Sequence, residues 1–315
     1  MNASGLLSQL LDVVLALALA PALSGWVAQC RAWLQNRRAP GLLQPYRLLH
    51  KLFIKDVVLA ENASPLFRAA PYIVFACMMM ASAIIPMLSA DLPLATAADA
   101  IALVGLLAIA RVFISLAAMD VGTAFGSLGA RREMLIGFLA EPALLTVLFT
   151  VSLITRSTSL ASMVAYMTHT AFAIYPSLAC AGIAFTIVSL SENARVPVDN
   201  PATHLELTMV HEALLLEYSG RYLALLEWAS SLKLLVYSCI GLAIFIPWGV
   251  TSDVSAAALL LALPALIAKL VVGGALLAVI ETVSAKMRIF RVPEFLATAY
   301  MFAVMGMLVH FLLGA

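Results

Sequence analysis

Eight long apolar runs divide this chain, at about 5–28, 70–90, 97–119, 134–154, 164–190, 222–247, 254–280 and 292–313. Each offers the roughly 20 mostly apolar residues that a helix needs to cross a bilayer core. Backbone amides find no water there, so runs of this length must satisfy their own hydrogen bonds as helices. The sequence therefore predicts an all-α, polytopic membrane protein of about eight transmembrane helices, folded as a single integral membrane domain over 1–315. Composition agrees, with 63% hydrophobic and 11% charged residues, against ~45–50% and ~25% in soluble chains. Pro21, Pro86, Pro142, Pro176, Pro247 and Pro264 fall within or at the ends of the runs, where neighbouring helices can satisfy the carbonyls they free.

Lys and Arg excess marks the cytoplasmic loops of such a protein. Fourteen of the 18 basic residues fall in the loops 29–69, 120–133, 191–221 and 281–291, and Arg156 alone lies in the alternate set. Arg111, Lys233 and Lys269 lie within spans. Met1–Ser4 carries no cation ahead of the first apolar run, unlike a secretory signal. That run reads as a retained helix entering from outside, with both termini extracytoplasmic in a bacterial inner membrane.

Carboxylates cluster against this apolar background. Glu192, Asp199, Glu206, Glu212, Glu217 and Glu227 all fall between Ser191 and Glu227, beside two spans. Acids near hydrocarbon are costly and commonly functional, although a solvated loop would carry similar charges. Glu141 lies about a third of the way into the fourth span. Lys233 and Lys269 lie near mid-membrane, where a cation is unfavourable by at least ~2.5 kcal/mol unless paired or hydrated. These residues, from Glu141 to Lys269, form a candidate proton path; inert structural ion pairs are the alternative. Arg111, nearer the cytoplasmic end of its span, is expected either to snorkel or to pair structurally, with Glu141 as one candidate partner.

The first basic loop holds a second signal. Over 43–55, Pro45, Leu48, Leu49, Leu52 and Phe53 share one helical face, while Arg47, His50, Lys51 and Lys55 lie on the other. This is an amphipathic helix at the membrane surface, either a lipid anchor or a ledge for a soluble partner.

Several classes are excluded or disfavoured. A net charge of +1 gives no nucleic-acid signature. Cys30, Cys77, Cys180 and Cys239 show no CxxC spacing, so no disulfide framework, zinc site or iron–sulfur site is readable. His211-Glu212 opens like HExxH, but Leu215 ends the match. His204, Glu206 and His211 are not expected to bind metal, and Met78–Met80, His169 and His310 read as packing or surface residues. Gly122–Gly129 lacks a nucleotide-binding pattern and reads as a turn.

Two motifs carry a family resemblance. Arg38-Ala39-Pro40, Gly41-Leu42-Leu43-Gln44-Pro45 and Lys51–Asp56 resemble the signature loop of subunit 1 of respiratory complex I. That family includes the equivalent membrane subunit of energy-converting [NiFe]-hydrogenases and formate hydrogenlyases. Ser191–Asp199, Glu206-Leu207 and Glu217-Tyr218-Ser219-Gly220 resemble its second signature. Ala202 and His204 replace the first two acids of that family's E-A-E-x-E run. The segment from Thr203 to Ala213 instead resembles the hydrogenase-4 and formate hydrogenlyase branch, whose members need no quinone.

The resemblance implies a membrane-anchoring, ion-coupling subunit of a hydrogenase-like or formate hydrogenlyase-like complex, linking redox chemistry to proton or sodium movement. It implies no cofactor in this chain, with [NiFe] and iron–sulfur clusters in a hydrogenase-like large subunit and an iron–sulfur small subunit on the cytoplasmic side. Antiporter-like membrane subunits would flank it. Arg37, Arg38, Pro40, Gln44, Pro45, Lys51, Lys55 and Arg195 are the expected docking residues. A quinone-binding complex I subunit, a stand-alone ion transporter and a passive anchor are the other readings.

Overall fold

The computed structural model describes residues 3–89, 99–169, 175–199, 210–251 and 256–313. Its helices are α1 (Ala3–Leu34), α2 (Gln44–Ile54), α3 (Pro65–Ile84), α4 (Ala100–Asp120), α5 (Ala124–Thr155) and α6 (Leu160–His169). They continue with α7 (Pro176–Glu192), α8 (His211–Leu215), α9 (Gly220–Phe245), α10 (Ala256–Val283) and α11 (Val292–Leu313). Among the described residues, seven helices are long and apolar enough to cross a membrane, and α7 is a shorter apolar helix. The expected all-α bundle is present.

Two boundaries differ from the hydropathy reading. The run 164–190 is interrupted at Tyr175, whose backbone is extended, and Pro176 opens α7. Proline suits the first turn of a helix, where its missing N–H has no intrahelical acceptor. The second difference is α5, which begins ten residues ahead of the apolar run. Thr123 caps it by accepting from the Gly126 amide at 3.3 Å. The glycine-rich stretch is a turn only as far as Gly122; Gly126 and Gly129 are helical. Glu133, expected in a loop, therefore lies on a buried helix.

Helix α9 is the centre of the bundle. Leu232, Leu235, Tyr237 and Ile240 along it are fully buried, and it packs against α1, α3 and α2. Helix α11 closes one side against α5 and α7, while α10 is held chiefly by α1. The surface helix α2 turns Leu49 and Leu52 onto Ala224, Leu223 and Trp228 of α9. The buried part of its apolar face is therefore a protein contact.

The Glu217–Gly220 motif fastens that surface helix. Ser219 Oγ donates to the Val58 carbonyl at 2.7 Å and accepts from its amide at 2.8 Å. Gly220 has φ +55°, and a Cβ there would lie 2.8 Å from the Asp56 carbonyl oxygen. Both the left-handed backbone and the close approach require glycine. Tyr218 stacks on Phe67 at 4.0 Å and donates to the Phe67 carbonyl at 3.1 Å. Burial, with Asp120 nearby, pushes the Tyr218 phenol above its ordinary range.

Candidate functional site

The most concentrated charge inside the bundle surrounds Arg111. Helix α4 places it against α5, where Glu133, Gly137 and Glu141 follow one another at four-residue steps. Residues so spaced lie along one helical face. The missing side chain of Gly137 makes room for the guanidinium, since a Cβ there would overlap Arg111 Nη1. Arg111 pairs with Glu141 and Glu192, and its Nε lies 3.5 Å from Glu133. Lys233 of α9 reaches Glu192 at 3.0 Å. Tyr237, also buried, stands beside the same carboxylate.

Packing dictates this pairing. Arg111 is 4% exposed and Glu192 is 5% exposed. An unpaired charge at such depth would carry a desolvation penalty of several kcal/mol. Three carboxylates face two cations, so the fully ionised cluster carries one excess negative charge. Among the described residues, Glu192 pairs with both cations, whereas Glu133 and Glu141 pair with Arg111, and Lys233 acts on Glu141 from further off. The excess therefore falls on those two acids, and Glu141, a third exposed at its side chain, is the more accessible. One proton can neutralise the cluster, and a nearby charge can expel it.

Access comes from the end of the bundle where α2 lies. A cavity of about 300 Å³ is bounded by Gln44, Pro45, Arg31, Asp199, Glu212 and Glu227. His211, Leu215 and Ser230 line both it and a deeper void of about 40 Å³. Arg111, Glu133 and Lys233 line the far side of that void. A volume above ~15 Å³ among polar groups suffices for a water. His211, Leu215 and Ser230 thus stand between the cavity beneath α2 and the void beside the ion cluster.

The expected site residues divide accordingly. Glu141, Glu192 and Lys233 meet in the cluster, while Glu212 and Glu227 line the cavity above it. Asp199 lines that cavity too, and its Oδ2 accepts from the amides of Val210 at 3.1 Å and His211 at 3.3 Å, fixing the start of α8. Glu217 is half-buried between α8 and α9 and lines neither space. Glu206, with Ala202 and His204, lies outside the described residues. Lys269 does not join the cluster: its ammonium donates to the Ile246 carbonyl at 2.9 Å. Ile246 is 13 residues beyond Lys233, or about 20 Å along α9.

Among the docking residues, Arg37, Arg38, Pro40, Gln44, Lys51 and Lys55 are exposed and Pro45 is half-buried. Gln29 holds this loop by donating to the Pro40 carbonyl at 2.8 Å, and the Tyr46 hydroxyl donates to Ala18. Arg195 instead turns inward to Glu281 at 3.1 Å, and Arg31 reaches the same carboxylate at 3.5 Å.

Sequence reasoning passed over three buried acids. Glu133 was readable from the four-residue spacing with Gly137 and Glu141. Glu281 closes the α10 apolar run, a signal indistinguishable from that of a solvated loop acid. Asp12, 1% exposed on α1, accepts backbone hydrogen bonds from Met87 and Leu88; it anchors the bend after α3. Among the described residues, no group of three or more His, Cys, Asp or Glu is placed to hold a metal.

Comparison with known proteins sets this architecture in a lineage. The chain is 34% identical over 297 residues to formate hydrogenlyase subunit 4 of Escherichia coli (strain K12), covering 94% of this chain and 96% of that one. It is 32% identical over 282 residues to hydrogenase-4 component C of the same organism, covering 89% and 87%. Its fold matches a chain in the structure of the membrane-bound sulfane sulfur reductase, an archaeal respiratory membrane complex. That match has a TM-score of 0.84 at 19% identity and covers 96% of this chain and 98% of the other. A family model described as NADH dehydrogenase spans residues 8–312. Matched nearly end to end by that model and by both relatives, this chain belongs to the NADH dehydrogenase subunit 1-like family of membrane proteins.

Proposed function

We infer that this chain is the membrane-anchoring, ion-coupling subunit of a hydrogenase-like or formate hydrogenlyase-like complex. The buried cluster of Arg111, Glu133, Glu141, Glu192 and Lys233, reached through the cavity beneath α2, carries this reading. A soluble redox arm docks on the exposed Arg37–Lys55 surface. Its large subunit holds the [NiFe] centre and its small subunit the iron–sulfur clusters, so electrons never enter this chain. Antiporter-like membrane subunits take up the ion movement laterally. The Arg- and Lys-rich loops face the cytoplasm, which puts both termini outside the bacterial inner membrane.

Coupling follows from charge balance. A charge change in the docked arm alters the potential at the mouth of the cavity. At an effective dielectric of about 20, a unit charge 4 Å from a carboxylate shifts its energy by about 4 kcal/mol, and one 12 Å away by about 1.4 kcal/mol. The larger figure exceeds, and the smaller equals, the 1.4 kcal/mol of one pKa unit. The cluster gains or releases a proton in response, and Glu141 passes the change onward.

The test is the ion-to-electron ratio of the assembled complex in inverted membrane vesicles. Glu141→Gln should lower ion movement per electron with electron transfer retained. An unchanged ratio would remove the cluster from the coupling path. The quinone reading draws on the position of the cavity alone. Its charged lining suits a quinone tail poorly, because small-molecule pockets are predominantly apolar. Inhibition of electron transfer by a quinone analogue, relieved by Glu227→Leu, would favour it.

A further inference from the structure

A slot of about 230 Å³ lies between α7, α9 and α10. Phe185, Leu242 and Phe245 form one wall, and Gly273 and Leu277 the other. The hydroxyls of Thr186 and Ser238 within it donate to their own helices, at 2.8 Å each, so the wall stays effectively apolar. Free polarity gathers at one end. Asn193 Oδ1 is buried there with no hydrogen-bond donor among the described residues. Arg195 spends one amino group on Glu281, which it shares with Arg31. These three groups together carry one excess positive charge.

Length and charge together select the occupant. Along α10 the lining runs from Leu270 to Ile280, about 15 Å of helix, which is half the ~30 Å hydrocarbon thickness of a bilayer. An apolar stretch of that length, ending in a buried amide oxygen and an arginine, matches an extended alkyl chain that ends in an anionic head group. A Cβ on Gly273 would meet nothing within 4 Å, so its open side faces into the slot.

We propose that this slot binds one acyl chain of a glycerophospholipid, whose phosphate Arg195 holds and whose head-group donor meets Asn193 Oδ1. Asn193 and Arg195 also line the polar cavity, so the bound head group walls that cavity off from the bilayer. The proposal needs only the membrane setting, and it stands or falls independently of ion coupling.

Photolabelling tests it. The full-length chain, within its native complex, is placed in nanodiscs containing phosphatidylglycerol with a photoactivatable group on its acyl chain. Labelled peptides are then mapped by mass spectrometry. Label should concentrate on the α9 and α10 walls of the slot, and a diacylglycerol probe lacking phosphate should label them about tenfold less, the loss of a charge-assisted hydrogen bond. Gly273→Leu should abolish slot labelling while leaving labelling of the outer face of α11 unchanged, and Gly273→Ala should retain it. Equal labelling by both probes, or full labelling of Gly273→Leu, would overturn the proposal. So would cross-linking of the slot to a neighbouring subunit's helix. The probe comparison uses the unaltered protein, so it decides the matter even if Gly273→Leu fails to fold.

Discussion

A single methyl group on α5 should disorganise the ion cluster without removing any charge. A Cβ at Gly137 would overlap Arg111 Nη1 and lie 2.6 Å from Cδ and 2.8 Å from Cζ. Restoring ordinary contact requires the Arg111 side chain to move by about 1 Å. Retreat from 3 to 4 Å weakens an ion pair by about 1.4 kcal/mol at an effective dielectric of 20. Arg111 serves three carboxylates, so Gly137→Ala should destabilise the native state by about 2–4 kcal/mol, at or above the usual range for overpacking. If that loss acts on the native state alone, the rate of thermal inactivation should rise by at least tenfold. The assay is inactivation of the complex in native membranes, with the ion-to-electron ratio measured on the surviving fraction. Gly105→Ala on α4 is the control, because a Cβ there meets nothing within 4 Å. If the two variants behave alike, the packing of Arg111 against Gly137 is not what holds the cluster.

Other perturbations separate the parts of the site. Lys233→Met should impair coupling, whereas Lys269→Met should leave it intact, as read by the ion-to-electron ratio. Gly220→Ala should destabilise the α2 attachment by at least ~1 kcal/mol through its positive φ, seen as faster proteolysis near Lys55. Tyr218→Phe removes one hydrogen bond and should lower stability by about 1 kcal/mol near neutral pH. The Tyr218 phenol is raised above its ordinary value of 10.0 in the folded chain. Its contribution is therefore complete below that value and declines as pH rises past it. A stability profile that falls above pH 10 no more steeply in the parent than in Tyr218→Phe would contradict this.

How far the sequence could be read depended on the kind of force involved. Bilayer-spanning helices announce themselves by hydropathy, and α1, α3, α4, α9, α10 and α11 lie close to the expected runs. The interruption at Tyr175 escaped hydropathy because the sequence around it remains apolar; Pro176 was the available sign. Glu133 was assigned to a loop because Arg131 and Arg132 precede it, although nothing between Ala124 and Glu141 stops a helix. Pairing was harder to read than position. Lys233 and Lys269 look alike in the sequence, yet one faces Glu192 and the other an open carbonyl at a helix end, because helix rotation sets direction. Arg195 looked like a surface cation until α10 brought Glu281 beneath it. The Glu217–Gly220 motif was recognisable as a signature, but its physical basis needs the tertiary approach of Asp56 to Gly220.

The central claim is that the carboxylates around Arg111 change protonation when the docked arm changes redox state. Redox-triggered infrared difference spectroscopy of the membrane-embedded complex reads that event in the carboxylic acid C=O region. The account predicts a band that appears or vanishes with reduction and is lost in Glu141→Gln or Glu133→Gln. A band that persists unchanged in the double variant, or no carboxyl band while ion movement continues, would contradict it.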